Sequence, residues 1–270
     1  MFLPENIDLS VSEKYVLNVR IKPDGFSFSI YDPKDISCYT YKETVFSNEG
    51  SLENNIQRII FDYNFLTNNF KKTNVIWVSS KYELVPLAYF DRQKIVELFG
   101  FTHNEQISHV LLNEKKVQEN ELIFDMEESI YLFLRRSLCD PQFFHHSGLL
   151  INYFEKKRQV NKVNSMFVHT HDYFTDIFCF NNKSRVVYAR TYVNEKEDDM
   201  IYFILNIWKS CNFRQLVDQL YVYGDFPSER MESLLDEYIN NIHYLGDIEQ
   251  LSDFGERTNK SPLDISILSA

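Results

Sequence analysis

The stretch SMFVHTHDYFTDIFCFNNKSRVVYARTY, residues 165–192, decides how the chain is read. His169, His171 and Asp172 fall within four residues of it. Histidines at i and i+2 of a strand point to one face, as a metal site requires. The same residues also suit the polar end and turn of a β-hairpin. As a metal group they need a ligand from elsewhere, and Asp24, His145 and His146 are the candidates. Taken alone, the spacing leaves both readings open.

A second stretch, YVLNVRIKPDGFSFSIYDPKD at 15–35, shares the plan. Leu17, Val19 and Ile21 alternate, Pro23-Asp24-Gly25 turns the chain, and Phe26, Phe28 and Ile30 alternate again. A shift of 149 residues sets Val19 on Val168, Phe28 on Ile177, Tyr31 on Phe180 and Lys34 on Lys183 without a gap. Both hairpins lead into a third strand, ISCYTYKETVF at 36–46 and RVVYARTYV at 185–193. A helix follows in each case. In SLENNIQRIIFDYNFLTNNF, residues 51–70, Ser51 is the N-cap, with Asn54 where a capping box prefers Glu or Gln. The partner helix is EDDMIYFILNIWKSCNF, residues 197–213, with acids in its first turn. The buried strands NVIWVSS (74–80) and QLYVYGD (219–225) come next, and a shift of 145 sets Trp77 on Val222 and Ser79 on Gly224. Helices at 127–138 and 228–239 and strands at 141–146 and 241–247 complete the match.

Each half therefore reads β-β-β-α-β-α-β, an internal duplication of α/β type. The first lobe covers 1–160 and the second 161–270, with an insertion at about 81–126 in the first. The insertion holds ELVPLAYF, a helix DRQKIVELFGF and a hairpin whose polar tip, Asn113–Asn120, is expected in solvent. The helix SGLLINYFEKKR, 147–158, closes the first half, with Ser147 as its expected N-cap.

Composition excludes several functions. The net charge of −11 opposes a polyanion, and the basic runs Arg135-Arg136 and Lys156-Lys157-Arg158 sit at helix ends. No nucleic-acid partner is expected. With no long apolar run, direct membrane insertion is not expected either, and a cytoplasmic location is. The four cysteines, Cys38, Cys139, Cys179 and Cys211, lack C-x-x-C spacing, and Cys179 reads as a small core residue. Only seven glycines are available for phosphate-cradling loops. The 23 phenylalanines and 17 tyrosines make any single aromatic uninformative as a stacking platform.

Tandem β-β-β-α-β-α-β units with an insertion in the first resemble the actin-like ATPase superfamily, whose lobes have a ribonuclease H-like fold. Within it, LVPLAYF at 84–90 and PQFFHHSGLLINYF at 141–154 resemble DUF3822, a bacterial family common in Bacteroidetes and without an established activity. The superfamily resemblance implies ATP between the lobes, with phosphates wrapped by the first hairpin turn of each lobe and adenosine held after the late strand of the second. Carried over, the first turn contains Lys22, Asp24 and Gly25, the second His171 and Asp172, and the adenosine turn Gly224 and Asp225. Asp24 and Asp172 are then the pair that would hold Mg²⁺ and phosphate. All three turns depart from the pattern. Lys22 stands near where an acid is wanted, Pro23 lacks an N–H, the second turn has no glycine and the third has one. The expectation is a non-catalytic interaction or scaffold module with protein partners and no cofactor. The alternative is a divergent ATPase or kinase that binds Mg-ATP, and a third reading is a metal-dependent enzyme using the histidines. The insertion is the expected interaction surface.

Overall fold

The computed structural model describes residues 7–47, 50–103, 107–158, 163–193, 196–224, 229–245 and 261–269. Its first half runs β1 (Val16–Lys22), β2 (Gly25–Asp32), β3 (Asp35–Val45), α1 (Leu52–Asp62) and β4 (Lys72–Trp77). An insertion follows, made of β5 (Tyr82–Pro86), α2 (Ile95–Gly100), β6 (His109–Leu112) and β7 (Asn120–Met126). The half continues with α3 (Glu128–Ser137), β8 (Pro141–His145) and α4 (His146–Lys157). The second half repeats the order: β9 (Ser165–His171), β10 (Phe174–Phe180), β11 (Val186–Val193), α5 (Glu197–Ser210), β12 (Gln219–Gly224), α6 (Glu229–Tyr238) and β13 (Ile242–Leu245). A short helix, α7 (Leu263–Ser269), comes last.

The duplication is visible in the sheets. One has the order β3-β2-β1-β4-β8 and the other β11-β10-β9-β12-β13. Register carries the 149-residue shift through both hairpins: Lys22 pairs with Gly25 as His171 pairs with Phe174, and Val19 with Phe28 as Val168 with Ile177. The late strands need a correction. Val19 pairs with Val75 and Val168 with Val222, so Trp77, opposite Ile21, is matched by Gly224, opposite Thr170. The shift of 145 thus slips by two residues. A two-residue slip keeps every side chain on its face, which is why alternation alone does not detect it.

Two compact units form, Met1–Leu150 with Phe254–Ala270, and Ile151–Asp253. Sequence division at 160/161 assigns everything after it to the second lobe, whereas α7 packs within the first unit. In that unit, Leu17, Val19 and Ile21 are buried on one face of β1, and Ile56, Ile59 and Ile60 of α1 are buried as well. Ser51 caps α1 as expected, its Oγ accepting from the Asn54 amide at 3.1 Å. The opposite face of β1 carries Asn18 and Arg20, both buried. α7 covers it with polar contacts: Arg20 Nε donates to Asp264 Oδ2 at 2.7 Å, Asn18 Nδ2 to Ser269 Oγ at 3.1 Å and Tyr31 Oη to the Leu268 carbonyl at 2.7 Å.

The insertion forms a small sheet, β5-β7-β6, with Val85, Phe99 and Ile123 as its core. Its tip exposes Glu114, Lys115, Lys116 and Glu119 as expected, with two exceptions. Asn113 and Val117 are buried, not solvated. β8 is an edge strand whose backbone groups need partners. Asn113 Oδ1 accepts from the His145 amide at 2.6 Å, and the Glu114 amide donates to the Phe143 carbonyl at 3.1 Å.

In the second unit the core lies on the helix side of the sheet. Met166, Val168, Ile177, Cys179 and Val222 pack with Ile204 and Trp208 of α5 and with Met231 and Leu235 of α6. On the other face Phe154 of α4 stacks on Phe167 at 4.8 Å. Asp218 ties the entry to β12 to the entry to β9. Fully buried, it accepts from the Arg214 amide at 2.6 Å and the Asn164 amide at 3.0 Å. Burial alone would raise its pKa, but the hydrogen bonds from Arg214 and Asn164 together outweigh this and hold it below the ordinary carboxylate value. A depressed folded-state pKa stabilises the fold above the unfolded value of about 4 and ceases to do so as pH falls through the folded value. Asp218→Asn is therefore expected to destabilise most at neutral pH, and the gap to wild type should narrow below about pH 4. Urea unfolding of both proteins from pH 7 to pH 3 reads this; a gap independent of pH contradicts it.

Candidate functional site

The residues singled out by sequence fall into two groups, one in each unit. In the first unit β1 and β2 leave Pro23 and Asp24 as a two-residue turn. The Asp24 carbonyl accepts from the Phe46 amide at 2.8 Å, so the end of β3 closes the turn. Lys22, buried, places its Nζ 3.1 Å from Glu43 Oε1 and 3.7 Å from Asp24 Oδ1. A Cβ on Gly25 would lie 2.6 Å from Lys22 Cε. Gly25 is not among the positive-φ glycines. The missing side chain therefore makes room for the lysine stem.

His145 and His146 also belong to this unit and are fully buried. The Ser147 amide donates to His145 Nδ1 at 3.3 Å, and His145 Nε2 lies 3.1 Å from Ser79 Oγ. The acceptor role of Nδ1 fixes the neutral tautomer with its proton on Nε2, aimed at Ser79. The expected Ser147 cap is thus replaced: α4 already begins at His146, and His145 is the group that meets the Ser147 amide. The His145 ring packs against Tyr82 at 4.8 Å and Phe124 at 5.3 Å, a core placement.

In the second unit the hairpin turn is Asp172-Tyr173, between His171 and its partner Phe174. Asp172 has φ +48, a left-handed conformation that Asp tolerates, so the turn forms without glycine. Tyr173 is exposed. His169 and His171 do share a face, their rings stacked at 4.6 Å. The carboxylate that joins them is Asp176, fully buried and opposite His169 in the ladder. Its Oδ2 lies 2.8 Å from His171 Nε2 and 3.5 Å from His169 Nδ1. Its Oδ1 accepts from Thr191 Oγ1 at 2.5 Å. Asp172 meets the other nitrogen of His171, with 3.2 Å between Oδ2 and Nδ1. Asp176 was legible as an acid on the face of β10 that otherwise carries Phe174, Phe178 and Phe180.

Both nitrogens of His171 face carboxylate oxygens, which only accept. A neutral imidazole satisfies one such contact.

Gly224 ends β12 with φ +84, and a Cβ there would fall 2.0 Å from the Thr170 carbonyl oxygen. The backbone pairing with β9 requires this glycine. Asp225 lies outside the described residues.

A family described as "Protein of unknown function (DUF3822)" matches residues 4–242. A crystal structure from Bacteroides thetaiotaomicron VPI-5482, of a protein with actin-like ATPase fold and unknown function, is 26% identical. Its TM-score is 0.83, over 97% of this chain and 98% of that one. A chain of a PilM–PilN type IV pilus biogenesis complex is 10% identical at a TM-score of 0.53, over 94% of this chain and 98% of that one. No curated protein matches the sequence.

Proposed function

The chain belongs to the DUF3822 family and has the actin-like ATPase fold, and from that premise we propose that it is a non-catalytic interaction or scaffold module. The observation that carries this reading is the first turn. The space a phosphate-wrapping loop keeps open by glycine is filled at Gly25 by the Lys22 stem. The Lys22 ammonium is committed to Glu43 and Asp24. In the second turn His171 and Asp172 are engaged with each other, and bulky Tyr173 stands where glycine would let a phosphate approach.

The insertion supplies the surface for a protein partner. Tyr89 is 78% exposed and Phe101 81%, with Leu87 and Val96 also in solvent. Large aromatics held out by a small packed sheet are the residue types that anchor interfaces. The related fold within a pilus biogenesis complex accords with such a role. Among the described residues no helix is long and apolar enough to cross a membrane.

Thermal unfolding with and without millimolar Mg-ATP tests the proposal. A micromolar site would stabilise the fold by about 4 kcal/mol at a thousandfold excess of nucleotide. The expected result is no change in midpoint. A rise of several degrees would instead establish the divergent Mg-ATP-binding reading, which Gly224 favours by retaining a left-handed glycine after the late strand.

A further inference from the structure

We propose that Cys211 is an oxidation site in the second unit and that its product is a reversible disulfide with Cys179. The two stand far apart in sequence, without C-x-x-C spacing, so the pair is a product of the fold. Cys179 is fully buried on the helix-facing side of β10. Cys211 is the C-cap of α5 and packs against the same core cluster. The Cys179 thiol donates a hydrogen bond to the Cys211 sulfur.

Touching sulfurs stand about 4 Å apart, and a disulfide holds them at about 2 Å. The end of α5 can supply that movement. Cys211 follows the last helical residue, and Asn212 behind it has left-handed backbone, φ +55. Cys179 is the fixed partner, held in the ladder between Met166 of β9 and Tyr188 of β11.

The two thiols differ as such a reaction requires. Cys211 is half-buried and open to a small oxidant, whereas Cys179 is sealed in the core. The hydrogen bond from Cys179 holds the Cys211 thiol below its ordinary pKa, against the opposing effect of burial. Burial, and then the same hydrogen bond, push Cys179 well above its own. The carboxyl end of a helix does not favour an anion, so the neighbouring thiol is what stabilises the Cys211 thiolate.

The oxidant is hydrogen peroxide. The Cys211 thiolate attacks one oxygen and the O–O bond breaks, leaving a sulfenic acid on Cys211. The departing hydroxide recovers the proton that Cys211 gave up. The Cys179 sulfur then attacks the Cys211 sulfur and the S–O bond breaks. Hydroxide leaves with the Cys179 proton as water. Two electrons pass from the thiols to the peroxide, which ends as two waters.

The full chain is treated with hydrogen peroxide, blocked with an alkylating reagent and mapped by non-reducing peptide mass spectrometry. Expected are loss of two of the four thiols and one Cys179–Cys211 crosslink within the chain, reversed by a dithiol reductant. The unfolding midpoint should rise on oxidation, because the crosslink constrains the unfolded chain. Cys38→Ser/Cys139→Ser should retain this behaviour. Cys179→Ala should leave a sulfenic acid on Cys211 that dimedone traps. Cys211→Ser, at a half-buried position, should fold and keep Cys179 reduced. Disulfides formed only between chains overturn the proposal, as do a wild type whose Cys179 and Cys211 stay reduced and unchanged oxidation of Cys179 in Cys211→Ser.

Discussion

Arg20→Ala is expected to destabilise the first unit by about 3–5 kcal/mol. Arg20 and Asp264 are almost completely buried and meet at 2.7 Å, so removing one strands the other charge in the interior. Removing both tells a different story. An Arg20→Met/Asp264→Leu pair should recover most of the loss, because apolar groups of similar volume replace a buried ion pair at little cost. Each unit contains one of the two tryptophans, Trp77 in the first and Trp208 in the second. Urea unfolding followed by Trp77 fluorescence, in a Trp208→Phe background, isolates the first unit. A loss below about 1 kcal/mol for Arg20→Ala would show that the ion pair does not hold α7 in place.

Gly224→Ala should cost the second unit about 3 kcal/mol, from two independent sources. The left-handed backbone penalises any Cβ by about 1–2 kcal/mol. The remainder comes from pushing aside the Thr170 carbonyl, since a Cβ–oxygen separation of 2.0 Å cannot be relieved by a side-chain rotation. Trp208 fluorescence, in a Trp77→Phe background, reports this loss. Gly25→Ala is a useful contrast, because the clash there is with the flexible Lys22 side chain and the backbone is unstrained. Similar losses at both glycines would refute the distinction.

Much of the architecture was legible because strand and helix periods differ and because the chain states its plan twice. One good hairpin match fixed the register of its copy through Lys22–Gly25 and His171–Phe174. The illegible parts share a physical cause: they depend on which groups meet in space. Asn113 reads as loop and is buried, because an edge strand needs an acceptor there. Ser147 reads as a cap, yet His145 meets its amide. In the histidine group, adjacency suggested Asp172, whereas the cross-strand ladder brings Asp176 opposite His169 and leaves Asp172 behind His171. That the turns depart in residue type from the superfamily's phosphate loops was legible in the sequence. That Lys22 itself fills the space beside Gly25 required coordinates.

The return of α7 to the first unit bears on how the chain is made. Arg20 and Asp264 are 244 residues apart in sequence, and the whole second unit is translated between them. On the ribosome the β1 face carrying Asn18 and Arg20 emerges early and stays uncovered while Ile151–Asp253 is synthesised. Domains fold as they emerge, at about 5–20 residues per second. The second unit can therefore complete its fold first, although it comes later in the chain, while the first awaits its closing helix. A premature stop before residue 261 leaves a nascent first unit with a buried-type arginine facing water and α7 missing. Its fate is then decided by chaperones and proteases.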